Sequence, residues 1–317
     1  MRGPSQGAEA RDAGDPIPSG KLRRLPPQGF FLVSAVFHYL GPSFAVLLFA
    51  RVDVLGVAWL RIVSAAAVFA LWRRPWRVLR MLDREGRWVV AGLGAVLAAM
   101  NSVFYLAVDR LPLSTVGAIE FLGTVLLAAL GARTGRNAAA LALTTLGVAT
   151  ITNLRIQGQP LGFVFAFTNC ALFVLYVILG HRIANGAPED RRQHGAAMAG
   201  IDRLAASMLV AAVAVTPVGL SQATAAFSHP TLLLAGVGVG ICSSVIPYVT
   251  DQLAMARLSR ATFALMLALL PMVATIIGAV VLGQIPTLQD LVGIGLVIGG
   301  VALHRNRIHR KEEQCST

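Results

Sequence analysis

The distribution of basic residues constrains this chain more than any other feature. Of its 27 Lys and Arg, 23 fall in the two tails and in alternate gaps between ten apolar runs. Those runs lie at about 30–50, 54–71, 88–108, 113–132, 138–154, 160–181, 203–220, 231–250, 261–282 and 287–303. An apolar helix of about 20 residues crosses the hydrocarbon core of a bilayer. The N-terminal tail carries Arg2, Arg11, Lys21, Arg23 and Arg24, and the second-to-third gap carries Arg73, Arg74, Arg77, Arg80, Arg84 and Arg87. Arg133 and Arg136, Arg182, Arg191, Arg192 and Arg203, then Arg257 and Arg260 follow on the same side, with Arg305, Arg307, Arg310 and Lys311 in the C-terminal tail. The other gaps hold only Arg51, Arg110 and Arg155, while Arg61 lies inside a run. Cationic loops resist translocation, so the pattern predicts an all-α membrane protein of ten transmembrane helices with both termini cytoplasmic.

Composition excludes the main alternatives. With 56% hydrophobic and 13% charged residues, and a mean hydropathy of +0.69, a soluble domain of this size would lack the polar surface to cover itself. The net charge of +12 then reads as membrane orientation and attraction to anionic head groups; no nucleic-acid partner is expected. Cys170 and Cys242 fall within predicted spans and Cys315 in the tail, too scattered for a disulfide framework or a metal cluster. Residues 1–29, mixed in charge and without periodicity, are predicted to be a disordered cytoplasmic tail, and 304–317 a basic one. The first run is long and lacks a small-residue cleavage site, so it is expected to remain as a span.

An internal repeat organises the ten spans. Laid over one another, LAVDRLPLSTVGA at 106–118 and LAMARLSRATFAL at 253–265 share Leu, Ala, Arg, Leu and Thr in register. Each segment joins a third helix to a fourth in one of two five-helix halves, 30–154 and 155–303. An odd number of helices per half turns the second half upside down, the inverted-repeat plan of many secondary transporters, with the substrate site near the midplane.

Ionisable groups within spans are costly and default to functional hypotheses. Three stand well inside their spans: His38 in the first, Arg61 in the second and Glu120 in the fourth. Arg61 and Glu120 lie at equal predicted depth, roughly 10 Å in at 1.5 Å per residue. They can form a structural salt bridge, or face a wet cavity in which Glu120 takes a proton or an ammonium and Arg61 a carboxylate. His38 is either a proton relay or a neutral hydrogen-bonded histidine. Asp202 and Asp251, at predicted cytoplasmic ends, are expected to be solvated.

Polar and aromatic residues repeat at helical spacing: Asn101 and Tyr105; Asn169, Phe173 and Tyr176; Ser244, Tyr248 and Asp251. Each stripe shares one helix face and serves either packing or a central cavity. Pro42, Pro217, Pro247 and Pro271 each free a carbonyl four residues earlier and invite a kink. Nucleotide-binding, metallopeptidase and nucleophile-elbow motifs are missing, so energy must come from a gradient or from the substrate's own downhill movement, and no cofactor or metal is expected.

These residues resemble a known family. The paired halves, each ending in a Gly-rich helix (LTTLGVATI; LGQIPTLQDLVGIGLVIGGVAL), look like the EamA repeats of the drug/metabolite transporter superfamily. MNSVFYLAVDRLPLSTVGAIEFLG at 100–123 and IPYVTDQLAMARLSRATFALMLALLP at 246–271 resemble its threonine/homoserine exporter branch. The resemblance implies two inverted five-helix EamA repeats and export of small metabolites or amino acids by proton antiport. It points to Arg61, Asn101, Tyr105, Glu120, Pro247 and Tyr248 as cavity residues, to which the intramembrane reading adds His38 and Tyr176. The chain departs from the family pattern at Gly283-Gln284, where Gly-Glu is usual, and at Thr124, where Pro commonly follows the glycine. The expected function is a secondary exporter in the cytoplasmic membrane, with a small solute, protons and lipid as partners. Export of drugs or other metabolites is the alternative; a scaffold or an intramembrane enzyme fits the residues less well.

Overall fold

The computed structural model describes residues 27–131, 135–152, 159–184, 196–258, 263 and 270–303. Most of the two predicted tails and the first part of the predicted ninth span lie outside the described residues. All regular structure among the described residues is helical: α1 Pro27–Leu48, α2 Val54–Arg73, α3 Pro75–Met81, α4 Arg84–Val108, α5 Leu113–Gly131, α6 Gly135–Thr152 and α7 Pro160–Ala184. The chain continues through α8 Ala196–Gln222, α9 Thr224–Phe227, α10 Pro230–Gly240, a π-helical turn Ile241–Val245, α11 Ile246–Met255, α12 Leu270–Leu282 and α13 Leu288–Leu303.

Six helical stretches are long and apolar enough to cross a bilayer: Gly29–Leu48, Val54–Arg73, Arg84–Val108, Pro160–Ala184, Met198–Gln222 and Pro230–Met255. The other four predicted spans overlap only shorter apolar segments, Leu113–Gly123, Ala138–Gly147, Leu270–Leu282 and Leu288–Gly300. Leu270–Leu282 alone, at 13 residues, reaches about 20 Å, short of a crossing.

Local chemistry sets several boundaries. The Asp83 carboxylate accepts from the Gly86 N–H at 2.8 Å and starts α4 a full turn ahead of the apolar run, inside the charged loop. Pro75 opens the short α3 in that same loop, an element the hydropathy reading missed. Thr287 and Asp290 form a reciprocal cap at the start of α13, with Asp290 Oδ2 accepting from Thr287 N at 2.9 Å and Thr287 Oγ1 accepting from Asp290 N at 3.2 Å.

The bundle is apolar outside, and its largely apolar core encloses a set of polar groups. Leu47, Val213, Leu234 and Val280 are among the large side chains that face outward. The interior holds His38, Arg61, Asn101, Glu120, Asn169 and Asp251. That arrangement suits a lipid solvent, in which association rests on close packing and interior polar contacts. A Cβ on Gly41 of α1 would come within 2.6 Å of the Ser243 Cα, so only glycine lets α1 lie directly on the π-helical turn. At one end of the bundle Arg73 pairs with Asp202 at 2.5 Å and Arg182 with Glu85, tying α2 to α8 and α7 to α4. Asp202 is thus ion-paired and partly buried, not simply solvated.

Helix partnerships follow a regular scheme. The helices α2 and α8, α5 and α12, and α6 and α13 pack in pairs. Helix α1 packs on α11 and α12, while α7 packs on α4 and α5. Similarly, α4 packs on α8, and α10 packs on α2.

Candidate functional site

Where these helices meet, eight side chains surround one central cavity: His38, Arg61, Met100, Asn101, Phe104, Glu120, Asn169 and Tyr248. Its free volume is about 10 Å³, room for a single water, and all of the lining residues are buried. This conformation is therefore contracted, and an amino-acid-sized solute requires the helices to part.

Arg61 and Glu120 face the same cavity but do not form the ion pair that their equal depth permits. From α2, Arg61 donates from Nε to Ser244 Oγ at 2.8 Å and from Nη2 to the Ser243 carbonyl at 2.6 Å. Its guanidinium also lies 5.2 Å from the centre of the Tyr105 ring. The sequence explains the docking. In α-helical register the donor to Ser243 would be the N–H of residue 247, and Pro247 has none. The chain widens into the π-helical turn ahead of this proline, and Arg61 uses the accessible carbonyl.

Glu120, on α5, has α1 as its neighbour. His38 Nε2 stands 3.6 Å from Glu120 Oε1, and the Tyr39 hydroxyl donates to Oε2 at 3.4 Å. Both contacts are long, so the carboxylate is loosely held. His38 is also packed edge-on to Phe173 and Tyr39. The site thus contains a buried carboxylate and a buried guanidinium across one small space, each held by other groups and not by the other.

The three polar stripes converge. Tyr248 donates its hydroxyl to Asn101 Oδ1 at 3.1 Å, and Asn101 donates back to the Leu97 carbonyl at 2.6 Å. Tyr176 packs against Tyr248 with ring centres 5.5 Å apart and planes tilted by 40°, and donates to Asp251 Oδ2 at 3.0 Å. Asp251 is buried, at 6% exposure, contrary to the solvated position expected for it. The reason is that α11 continues to Met255, five residues past the predicted end, and places Asp251 within the packed helix. Asn169 is fully buried at the cavity wall, and neither its Oδ1 nor its Nδ2 has a hydrogen-bond partner. The Tyr105 hydroxyl is likewise buried without a partner.

The structure therefore brings His38, Arg61, Asn101, Glu120 and Tyr248 to the cavity wall, with Tyr105 beneath Arg61, Pro247 at the π-helical turn and Tyr176 one layer away. Tyr39 and Ser243 were missed. A tyrosine next to an intramembrane histidine, and the carbonyl that Pro247 leaves accessible, were the available signals. Among the described residues no group of three or more His, Cys, Asp or Glu is placed to hold a metal.

A bundle with an apolar exterior and charges gathered inside defines a multi-pass membrane protein. Residues 160–305 match the EamA-like transporter family. The chain is 30% identical over 289 residues to the threonine/homoserine exporter RhtA of Escherichia coli strain K12, covering 88% of this chain and 92% of that protein. Its identity to the threonine/homoserine exporter RhtA of Salmonella typhimurium strain SL1344 is 28% over 288 residues, with the same coverage. One solved crystal structure superposes with a TM-score of 0.60 over 90% of this chain and 99% of its own, at 18% identity, a likeness of fold alone. The chain belongs to the EamA-like transporter family: it is a transporter of small molecules, not an enzyme.

Proposed function

We propose that this protein exports small zwitterionic solutes, amino acids of the threonine and homoserine kind, across the cytoplasmic membrane in exchange for protons. The carrying observation is that Glu120 and Arg61 face one central cavity without neutralising each other. A buried cation and a buried anion held apart match the two charges of an amino acid: Glu120 takes the ammonium and Arg61 the carboxylate. The names of the relatives point to the same substrate class.

The transport cycle follows from that geometry. Parting of the helices admits the solute, whose charges replace the loose His38 and Tyr39 contacts of Glu120 and draw Arg61 off the π-helical turn. Alternation between the two sides comes from two inverted five-helix halves, 30–154 and 155–303, within ten spans whose termini are cytoplasmic. The helix partnerships support this plan, because exchanging the halves maps the packing of α1 on α11 and α12 onto that of α7 on α4 and α5.

Counterflow in proteoliposomes tests the substrate class. Vesicles preloaded with unlabelled threonine should take up labelled threonine and homoserine, with saturation, and not a lipophilic cationic dye. Dye uptake without amino-acid exchange would overturn the reading in favour of drug export.

A further inference from the structure

The central cavity does not account for Asp251, a second buried carboxylate on α11. Its Oδ1 accepts from Ser34 Oγ of α1 at 2.5 Å, and its Oδ2 accepts from the Tyr176 hydroxyl of α7 at 3.0 Å. Among the described residues no Lys or Arg forms an ion pair with it. Of the titratable groups around it, Tyr176 comes from α7 and donates to Oδ2, Tyr248 lies one turn earlier on α11, and His38 lies one turn beyond Ser34 on α1. The remaining helix packed on α11 is α8, which presents Gly200 to the adjacent Gln252.

We propose that Asp251 is the coupling-proton site of this transporter, distinct from Glu120, and that Ser34 and Pro247 transmit its protonation to Arg61. This rests on the exporter reading and divides its labour: Glu120 holds substrate, Asp251 holds the proton. A carboxylate buried in a membrane helix without a cation is the kind of group that transporters use to carry protons. Both of its oxygens already accept hydroxyl donors, an arrangement that a proton enters by reorienting one hydrogen and a metal ion enters only by displacing both.

Ser34 supplies the reorientation. Its hydroxyl has a second acceptor, the Pro247 carbonyl, at 3.3 Å. With Asp251 ionised, Ser34 donates to Oδ1. When Asp251 gains a proton, its new O–H donates to Ser34 Oγ, and the Ser34 O–H turns to the Pro247 carbonyl. One proton enters and one hydrogen bond changes address. Pro247 is also the residue whose missing N–H leaves the Ser243 carbonyl to Arg61 Nη2. The proton site and the substrate cation therefore bear on one short segment, Ser243–Pro247, with the π-helical turn as its compliant part.

The test compares wild type, Asp251→Asn, Ser34→Ala and Glu120→Gln in proteoliposomes, by threonine counterflow without a gradient and by threonine accumulation under an imposed pH gradient. Asp251→Asn should lose gradient-driven accumulation more than tenfold while exchange falls far less, and Ser34→Ala should shift in the same sense. Glu120→Gln should lose both. Gradient-driven accumulation by Asp251→Asn equal to wild type would overturn the proposal. Absence of any wild-type exchange would overturn the amino-acid reading instead. Infrared difference spectra between high and low pH then decide on Asp251 without substrate: a protonated-carboxyl band absent from Asp251→Asn and shifted in Asp251→Glu is expected, and a band unchanged in both would refute the assignment.

Discussion

Arg61 donates to the Ser243 carbonyl at 2.6 Å, the carbonyl whose α-helical donor would be the N–H that Pro247 lacks. One proline on α11 thus fixes where the buried cation of α2 rests, and keeps it from closing on Glu120.

Pro247→Ala restores that N–H and lets α11 compete with Arg61 for the Ser243 carbonyl. A proline removed from a helix interior relieves a penalty of up to about 3 kcal/mol. The variant should therefore fold with equal or higher thermal stability and yet exchange threonine several-fold more slowly, as read by parallel melting and counterflow measurements.

Arg61→Lys keeps the charge but not the fork. A lysine ammonium cannot reproduce the separate Nε and Nη2 bonds to Ser244 and the Ser243 carbonyl, nor receive a carboxylate in bidentate fashion. Apparent affinity for threonine should fall at least tenfold in an exchange titration, with the loss larger for Arg61→Ala.

Asn169→Ala separates function from packing. Both polar atoms of this amide lack partners, so its removal leaves no broken hydrogen bond behind, and stability should change by no more than about 1 kcal/mol. If Asn169 meets the solute hydroxyl, exchange of threonine should weaken relative to an apolar amino acid of equal size. Equal weakening for both solutes would remove Asn169 from recognition.

Gln284→Ala addresses the joint between α12 and α5. The Gln284 side-chain carbonyl accepts from the Leu113 N–H at 3.1 Å, satisfying the first turn of the helix that carries Glu120. Losing such a cap costs about 1 kcal/mol. Gln284→Glu keeps the acceptor and adds a negative charge at a helix N-terminus, worth about 0.3–1 kcal/mol of stabilisation. Melting temperatures should order as Glu at or above Gln, and both above Ala.

Much of this architecture is legible in the sequence because lipid permits few exceptions. Val54–Arg73 and Pro160–Ala184 nearly coincide with apolar runs, since a spanning helix must be apolar over its length. The errors fall at charges. Arg84–Arg87 is helical because Asp83 caps it, and Asp251 is buried because Ser34 and Tyr176 receive it; hydropathy registers neither effect. The convergence of Asn101, Tyr105, Asn169, Tyr176 and Tyr248 was foreseeable, because polar groups in a membrane must find one another. Their partners were not. Equal depth allowed Arg61 to reach Glu120, and a carbonyl left accessible by a proline two spans before the end of the chain took Arg61 instead.

The most direct measurement is accumulation of labelled threonine under an imposed pH gradient by wild-type protein and by Glu120→Gln, which removes the charge and keeps the shape. Saturable, gradient-driven accumulation in wild type that falls at least a hundredfold in Glu120→Gln is the predicted result. Accumulation in Glu120→Gln equal to wild type would contradict the account, leaving Glu120 a packing residue and the cavity without its anion.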